Sequence, residues 1–291
     1  FTPLNKRTPG IMPGNVIYWY GRHKSKKTWL MLHMALYFYF MGYRVLFFTR
    51  EMSIEELHWR ISAIMLGIPL DDFNKGNVTQ IGEDTVRDIM KEFLDSGRLI
   101  FSEDMDGLPG YKVEVEDVQP DIVLHDYWKG MADDLMEDSK ISEKSAVDRT
   151  IDRLVKFHMK CKTPVFICGH ANREGDKGRG RSGVEHAWSD HIVRRVHAAI
   201  RVVKSPDASK IGLVINAGRA VPEDIAFTLD GHLCSGFGNE LQVDPSWIFT
   251  SEDSATASKD SAGRNKEKEP PAMSASATLR AGVFRGFKKR K

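Results

Sequence analysis

Residues 16–29 read Val16-Ile17-Tyr18-Trp19-Tyr20-Gly21-Arg22-His23-Lys24-Ser25-Lys26-Lys27-Thr28-Trp29, and this stretch decides the fold. Five apolar residues predict a buried strand, and the apolar run after Thr28 predicts a helix. The residues between are spaced like G-x-x-x-x-G-K-[ST], the loop that cradles phosphates between a strand and a helix N-terminus. Gly21, Lys27 and Thr28 hold the expected positions, while Lys26 replaces the second glycine. The candidate cofactor contacts are Gly21, Lys24, Ser25, Lys26, Lys27, Thr28 and Trp29. Lys27 would reach the outer phosphates, and the Thr28 hydroxyl would hold Mg²⁺. A residue other than glycine in the strained part of such a loop costs on the order of 1–3 kcal/mol. Taken wholly from binding, that weakens nucleotide affinity by tens of fold without abolishing it.

Outward from the loop, strands are expected over 16–20, 44–49, 98–102, 121–126, 164–168, 198–204, 211–215 and 225–229. Helices are expected over 27–41, 53–66, 83–96 and 145–160. The second helix opens on Ser53-Ile54-Glu55-Glu56, the pattern of a capping box. Continuous apolar runs such as Ile122-Val123-Leu124 and Val165-Phe166-Ile167 are the habit of parallel strands buried on both faces. Their alternation with helices predicts an α/β fold: a mostly parallel sheet flanked by helices. The last three strands lack helices between them, so that end of the sheet is expected to turn antiparallel. The stretch from Trp29 to Phe48 approaches the length of a membrane span. His33, Gly42 and Arg44 interrupt it, and a buried helix followed by a buried strand is the expected reading.

The 291 residues divide into a folded part, 1–250, and a tail, 251–291, rich in Ser, Ala, Lys, Glu and Pro with little to bury. From Lys259 to Lys291 ten Lys/Arg face three acids, a net +7, against a formal +2 for the whole chain. The folded part is therefore mildly acidic and is not a nucleic-acid binder by bulk charge. The three cysteines, Cys161, Cys168 and Cys234, lack metal-ligand spacing and form no paired framework. With no leader visible, a cytoplasmic setting is expected.

Chemistry gathers at the ends of successive strands. Glu51 follows the strand after the loop helix, where a carboxylate can orient and deprotonate water attacking a γ-phosphate. Taken alone, it reads rather as a solvated residue just ahead of a helix cap. Asp126 ends Ile122-Val123-Leu124-His125-Asp126, the way a Walker B strand delivers a carboxylate to Mg²⁺. His170 follows Val165–Gly169 and could sense a γ-phosphate; as a loop histidine it would have no role. Beyond it, Arg173-Glu174-Gly175-Asp176-Lys177-Gly178-Arg179-Gly180-Arg181 supplies a glycine-rich backbone. Lys177, Arg179 and Arg181 there carry charge suited to phosphates of single-stranded DNA, or form an ordinary surface loop.

In this order, from about Gly10 to Asp230, the chain resembles the RecA-type ATPase domain of DnaB-family replicative helicases, in the form carried by many bacteriophages. Residues 21–29, Thr49–Ser53 with Arg60, and Ile122–Tyr127 carry the resemblance. It implies a RecA-like P-loop core using ATP and Mg²⁺, with Lys27 and Thr28 as nucleotide ligands. Glu51 would be the catalytic base, and Asp126 the metal carboxylate. His170 stands where the family usually has a sensor glutamine. Arg219, in Ala217-Gly218-Arg219, matches a finger that reaches the neighbouring subunit's nucleotide; the family's preceding lysine is Ala217 here. A homo-oligomeric ring, hexameric by analogy, single-stranded DNA, and a primase or loader are the implied partners. In the host cytoplasm such a chain would be a replicative helicase motor. The alternatives are a RecA- or RepA-like ATPase for recombination or origin opening, and a catalytically silent DNA-binding subunit.

Overall fold

The computed structural model describes residues 10–103, 107–170, 190–206, 209–218, 226–230, 240–241, 243 and 247–248. Along the chain the elements are β1 (Val16–Gly21), α1 (Lys27–Phe40), β2 (Val45–Thr49), α2 (Ile54–Leu66), α3 (Leu70–Asn74) and α4 (Gln80–Ser96). There follow β3 (Leu99–Glu103), α5 (Gly107–Val118), β4 (Ile122–Asp126), α6 (Gly130–Ser139), α7 (Glu143–Cys161) and β5 (Val165–His170). The described chain closes with α8 (Asp190–Arg195), β6 (Ala198–Lys204), β7 (Lys210–Gly218), β8 (Ala226–Asp230) and β9 (Glu240–Leu241).

The strands form one sheet of nine, ordered β3-β2-β4-β5-β1-β6-β7-β8-β9. Pairing is parallel from β3 through β6 and antiparallel from β6 to β9. The change falls where helices disappear between strands, because a parallel return needs a crossover and a hairpin does not. The sheet is thus mostly parallel with an antiparallel flank, as the sequence pattern predicted.

Both faces of the central strands are apolar, and period two sorts them. Ile17, Trp19, Val45, Phe47, Leu124 and Phe166 pack beneath α1, α2 and α4, against Leu32, Leu57, Ile61 and Phe93. The alternate residues Tyr18, Tyr20, Leu46, Phe48, Val123 and Ile167 pack against Tyr111, Met131, Val147, Ile151 and Leu154 of α5, α6 and α7. Each such side chain taken fully from water contributes about 1.5–3 kcal/mol. This two-sided burial holds the strand ends, and so the site, in fixed register.

The helix at 27–40 followed by β2 accounts for the apolar stretch after Trp29, and no described helix is long and apolar enough to cross a membrane. Two features depart from the sequence reading. Helices α3, α5, α6 and α8 and the short β9 were not anticipated. In addition, the strand that precedes Glu51, which its place after the loop helix would suggest to be the loop strand's neighbour, is not adjacent to it: β5 and β4 stand between β1 and β2. Residues 251–291, the expected tail, lie outside the described residues.

Candidate active site

Register assembles the site at the C-terminal edge of the parallel strands. Gly21 of β1 lies opposite His170 of β5, and Thr49 of β2 lies opposite Asp126 of β4. The Arg50 amide donates to the Asp126 carbonyl at 2.9 Å, which ties the turn carrying Glu51 to the end of β4. That turn lets Glu51 reach the loop although β2 is three places from β1.

The loop itself is built around backbone constraints. A Cβ on Gly21 would stand 2.4 Å from the Val202 carbonyl oxygen and 2.7 Å from Ser25 Oγ, so only glycine lets β1 turn this closely past β6. The Ser25 amide donates to the Arg22 carbonyl at 3.2 Å. Lys24 and Lys26 both have positive φ, 60° and 67°, the left-handed region that glycine favours. Lys26 is the N-cap of α1 at φ 67°, ψ 22°, and no side chain caps that helix. A lysine thus holds backbone that glycine would adopt at less cost.

Lys27 is 7% exposed. Its ammonium donates to the Gly21 carbonyl at 3.1 Å and the Arg22 carbonyl at 2.9 Å, with Ser25 Oγ at 3.5 Å. Burial lowers its pKa, while Cys168, Asp126 and Glu51 oppose the shift. Beside it the Thr28 hydroxyl donates to Asp126 Oδ2 at 2.5 Å. Asp126 is 1% exposed, and its Oδ1 is buried without a hydrogen-bond partner among the described residues. Burial pushes this carboxyl up, partly offset by the Thr28 hydrogen bond and the Lys27 charge. A buried carboxylate oxygen left unpaired costs about 1–3 kcal/mol unless something satisfies it. The Thr28 hydroxyl and the Asp126 carboxylate, whose Oδ1 has no partner among the described residues, form a hard-oxygen donor set that fits Mg²⁺.

Above this floor sits a rim. Burial raises the Glu51 carboxyl, and the nearby Asp126 charge raises it further. His170 Nε2 is 3.8 Å from Glu51 Oε1, and the His170 ring stacks on His23 at 4.1 Å between centroids. The tilted Tyr127 ring lies 5.2 Å from that of His170. Burial, and then the positive charge of Lys27, lowers the His170 pKa to about 4. His170 is therefore neutral at neutral pH, and its contact with Glu51 is not an ion pair.

The structure thus brings together Gly21, Ser25, Lys26, Lys27, Thr28, Glu51, Asp126 and His170 of the residues singled out by sequence. Lys24 belongs to the same loop with its side chain exposed. The Trp29 indole instead packs against the core under α1, with the Arg60 guanidinium 5.2 Å over its ring. Arg60 is held in turn by Glu56, at 2.7 Å. Arg219, Lys177, Arg179 and Arg181 lie outside the described residues. His23 escaped the sequence reading, since only the fold shows that this loop position lies beside Glu51 after β2 and His170 at the end of β5.

A P-loop after a central strand and a carboxylate two strands away, in a sheet ordered 3-2-4-5-1, define a RecA-like nucleotide-binding fold. The DnaB-like helicase C-terminal domain family matches residues 1–182, and the chain belongs to that family. Among solved structures, the chain is similar to the ATPase domain of a phage helicase, with a TM-score of 0.71 at 14% identity over 82% of this chain and 89% of that one. A DnaB-like replicative helicase described with its primase interactions matches with a TM-score of 0.67 at 13% identity, over 80% of this chain. The match spans 59% of that helicase. At such identities the likeness concerns the fold. No curated protein matches the chain.

Proposed function

We propose that this chain is the ATP-driven motor domain of a DNA helicase that acts on single-stranded DNA in a phage-like replication system. The observation that carries this reading is the Thr28–Asp126 hydrogen bond, with Asp126 Oδ1 unpartnered among the described residues beside buried Lys27. ATP would lie with its outer phosphates over the loop and the uncapped N-terminus of α1, where helix amides and dipole favour an anion. Lys27 would exchange carbonyl partners for phosphate oxygens and hold the charge that develops as the terminal phosphoryl group leaves. Thr28 and Asp126 would hold Mg²⁺, which when bound neutralises phosphate charge. Glu51 would orient a water and accept its proton as the water oxygen bonds to the γ-phosphorus and the bond to the β–γ bridging oxygen breaks. A carboxyl with a raised pKa is a better base for this than an unperturbed one. His170, in contact with Glu51, would report the presence of the γ-phosphate to the segment that follows β5.

In the same reading Arg219 reaches the nucleotide of a neighbouring subunit, so a ring, hexameric by analogy, completes the site. Lys177, Arg179 and Arg181 grip the DNA backbone by charge, with little reading of sequence. Primase or a loader is the further partner, the cytoplasm of the host is the setting, and residues 251–291 form a basic tail outside the 1–250 motor. The test is ATP hydrolysis with and without single-stranded DNA, followed by strand displacement on a forked duplex. Hydrolysis stimulated by DNA, with unwinding, supports the proposal. Hydrolysis without unwinding favours a RecA- or RepA-like ATPase, the reading favoured by a histidine rather than glutamine at position 170. DNA binding without hydrolysis makes the chain a silent subunit.

A further inference from the structure

Three side chains at the rim come from three separate elements: His23 from the loop after β1, Glu51 from the turn after β2, and His170 from the end of β5. One donor atom from each lies within 4.8 Å of the other two. His170 Nε2 and Glu51 Oε1 are already 3.8 Å apart, and the two imidazoles are stacked with an interplanar angle of 26°. Among the described residues His170 Nδ1 is buried without a hydrogen-bond partner, so none of them restrains the ring at that atom.

Zinc bonds to imidazole nitrogen and carboxylate oxygen are about 2.0–2.2 Å long, so two donors on one ion stand at most about 4 Å apart. The closer pair already satisfies that limit. The widest separation needs to shrink by roughly 1 Å, within reach of side-chain rotation at the exposed His23 and Glu51. Two imidazoles and one carboxylate suit zinc, nickel or cobalt, whereas Mg²⁺ prefers oxygen donors throughout. The Thr28–Asp126 floor offers the opposite chemistry, so the two sets discriminate between ions.

We propose that His23, Glu51 and His170 form a binding site for a divalent transition-metal ion of the zinc class, separate from the Mg²⁺ ligands, and that occupancy withdraws Glu51 from its water. The ion bonds to a carboxylate oxygen that the water would otherwise use, so zinc inhibits hydrolysis while leaving the phosphate loop intact. The charges of Lys27 and Lys129 reach His170 and oppose any cation, which makes the site weaker than a structural zinc centre. Binding stands on the geometry alone; the inhibitory consequence rests on the motor reading above.

The test uses the full nucleotide-free chain with Co²⁺ or Zn²⁺ alone, followed by visible absorption of Co²⁺ and by calorimetry for Zn²⁺. A single site should appear, without the near-ultraviolet charge-transfer band that thiolate ligands give. His23→Ala and Glu51→Gln, each checked for native circular dichroism, should both weaken that site by at least the roughly 10–100-fold that losing even a supporting partner costs in metal sites. Unchanged affinity in both variants, absence of the site in the wild type, or a thiolate band overturns the proposal. If hydrolysis occurs, zinc should inhibit the wild type at least tenfold and His23→Ala far less, each measured against its own zinc-free rate. Metal binding without any hydrolysis would remove the motor reading and keep this site. DNA-stimulated hydrolysis without metal binding would do the reverse.

Discussion

Helices α1 and α7 begin in opposite ways. Ser142 precedes α7 in extended backbone, its hydroxyl accepts from the Ser145 amide at 3.3 Å, and Glu143 places a negative charge on the helix dipole. The chain repeats this device at α2 with Ser53 and at α4 with Thr79. Helix α1 does without it: Lys26 sits in left-handed backbone, no side chain caps the helix, and its first turn contains no acid. A terminus built for stability satisfies its own amides and dipole, whereas one built for an anion leaves both available. Helices α3 and α6 also lack a side-chain cap, but Asp71, Asp72 and Asp133 place acids in their first turns. Helix α1 differs from them in having neither cap nor acid, the kind of broken local rule expected at a functional site.

The contrast is broken most severely at Lys27. Lys27→Ala removes the buried cation beside the α1 terminus, and steady-state phosphate release should fall by at least about 10²–10³-fold. Unaltered turnover would move the chemistry away from α1. Glu51→Gln should preserve nucleotide binding while slowing single-turnover hydrolysis by roughly 10²–10⁴-fold. Equal loss of binding would make Glu51 a structural residue.

Asp126→Asn sharpens the comparison through pH. Burial raises this carboxyl, so the folded chain keeps its proton where the unfolded chain has already lost it. The ionised group therefore lowers stability at neutral and alkaline pH, and the penalty fades as pH falls through the raised value. Removing it should stabilise the free chain by roughly 1–3 kcal/mol at neutral pH. The gain should shrink on acidification, and Mg²⁺-dependent nucleotide binding should be lost. Urea titrations across pH read the effect, and a gain that grows toward acid would contradict the assignment.

The smallest expected effects set the two termini against each other. Ser142→Ala removes a cap and should cost about 1 kcal/mol with no change in nucleotide affinity. Lys26→Gly relieves a left-handed lysine but adds the freedom of glycine to the unfolded chain, for a net gain of up to about 1 kcal/mol. Thermal melts should separate the two in sign. Lys26→Gly should also tighten ATP binding in an equilibrium titration, and unchanged affinity would show that the lysine costs the loop nothing in binding.

Much of this was legible in the sequence because burial on both faces writes itself as continuous apolar runs. All eight longer strands fell where those runs stand, and the antiparallel flank followed from the missing helices. Helix α5 was hidden by Gly107, Pro109 and Gly110 in its first turns and by its valines, although Leu108, Tyr111 and Val115 show the spacing of a buried helical face. In α6 only Met131 and Ala132 are buried, too little to produce a period. At the site, Lys27, Thr28, Glu51, Asp126 and His170 were legible as strand-end chemistry. Their convergence was not, since β2 lies three strands from β1 and only sheet order returns Glu51 to the loop. His23 carried no signal, because its role depends on which strands flank β1.

For this chain to use ATP, the loop at 21–28 must close around a triphosphate with a lysine in place of its glycine. Equilibrium titration of the wild-type chain and of Lys27→Ala with a fluorescent ATP analogue and Mg²⁺ tests this most directly. One saturable, Mg²⁺-dependent site in the wild type, weakened at least a hundredfold by Lys27→Ala, is the predicted result. No saturable binding, or equal affinity in the two proteins, would contradict it.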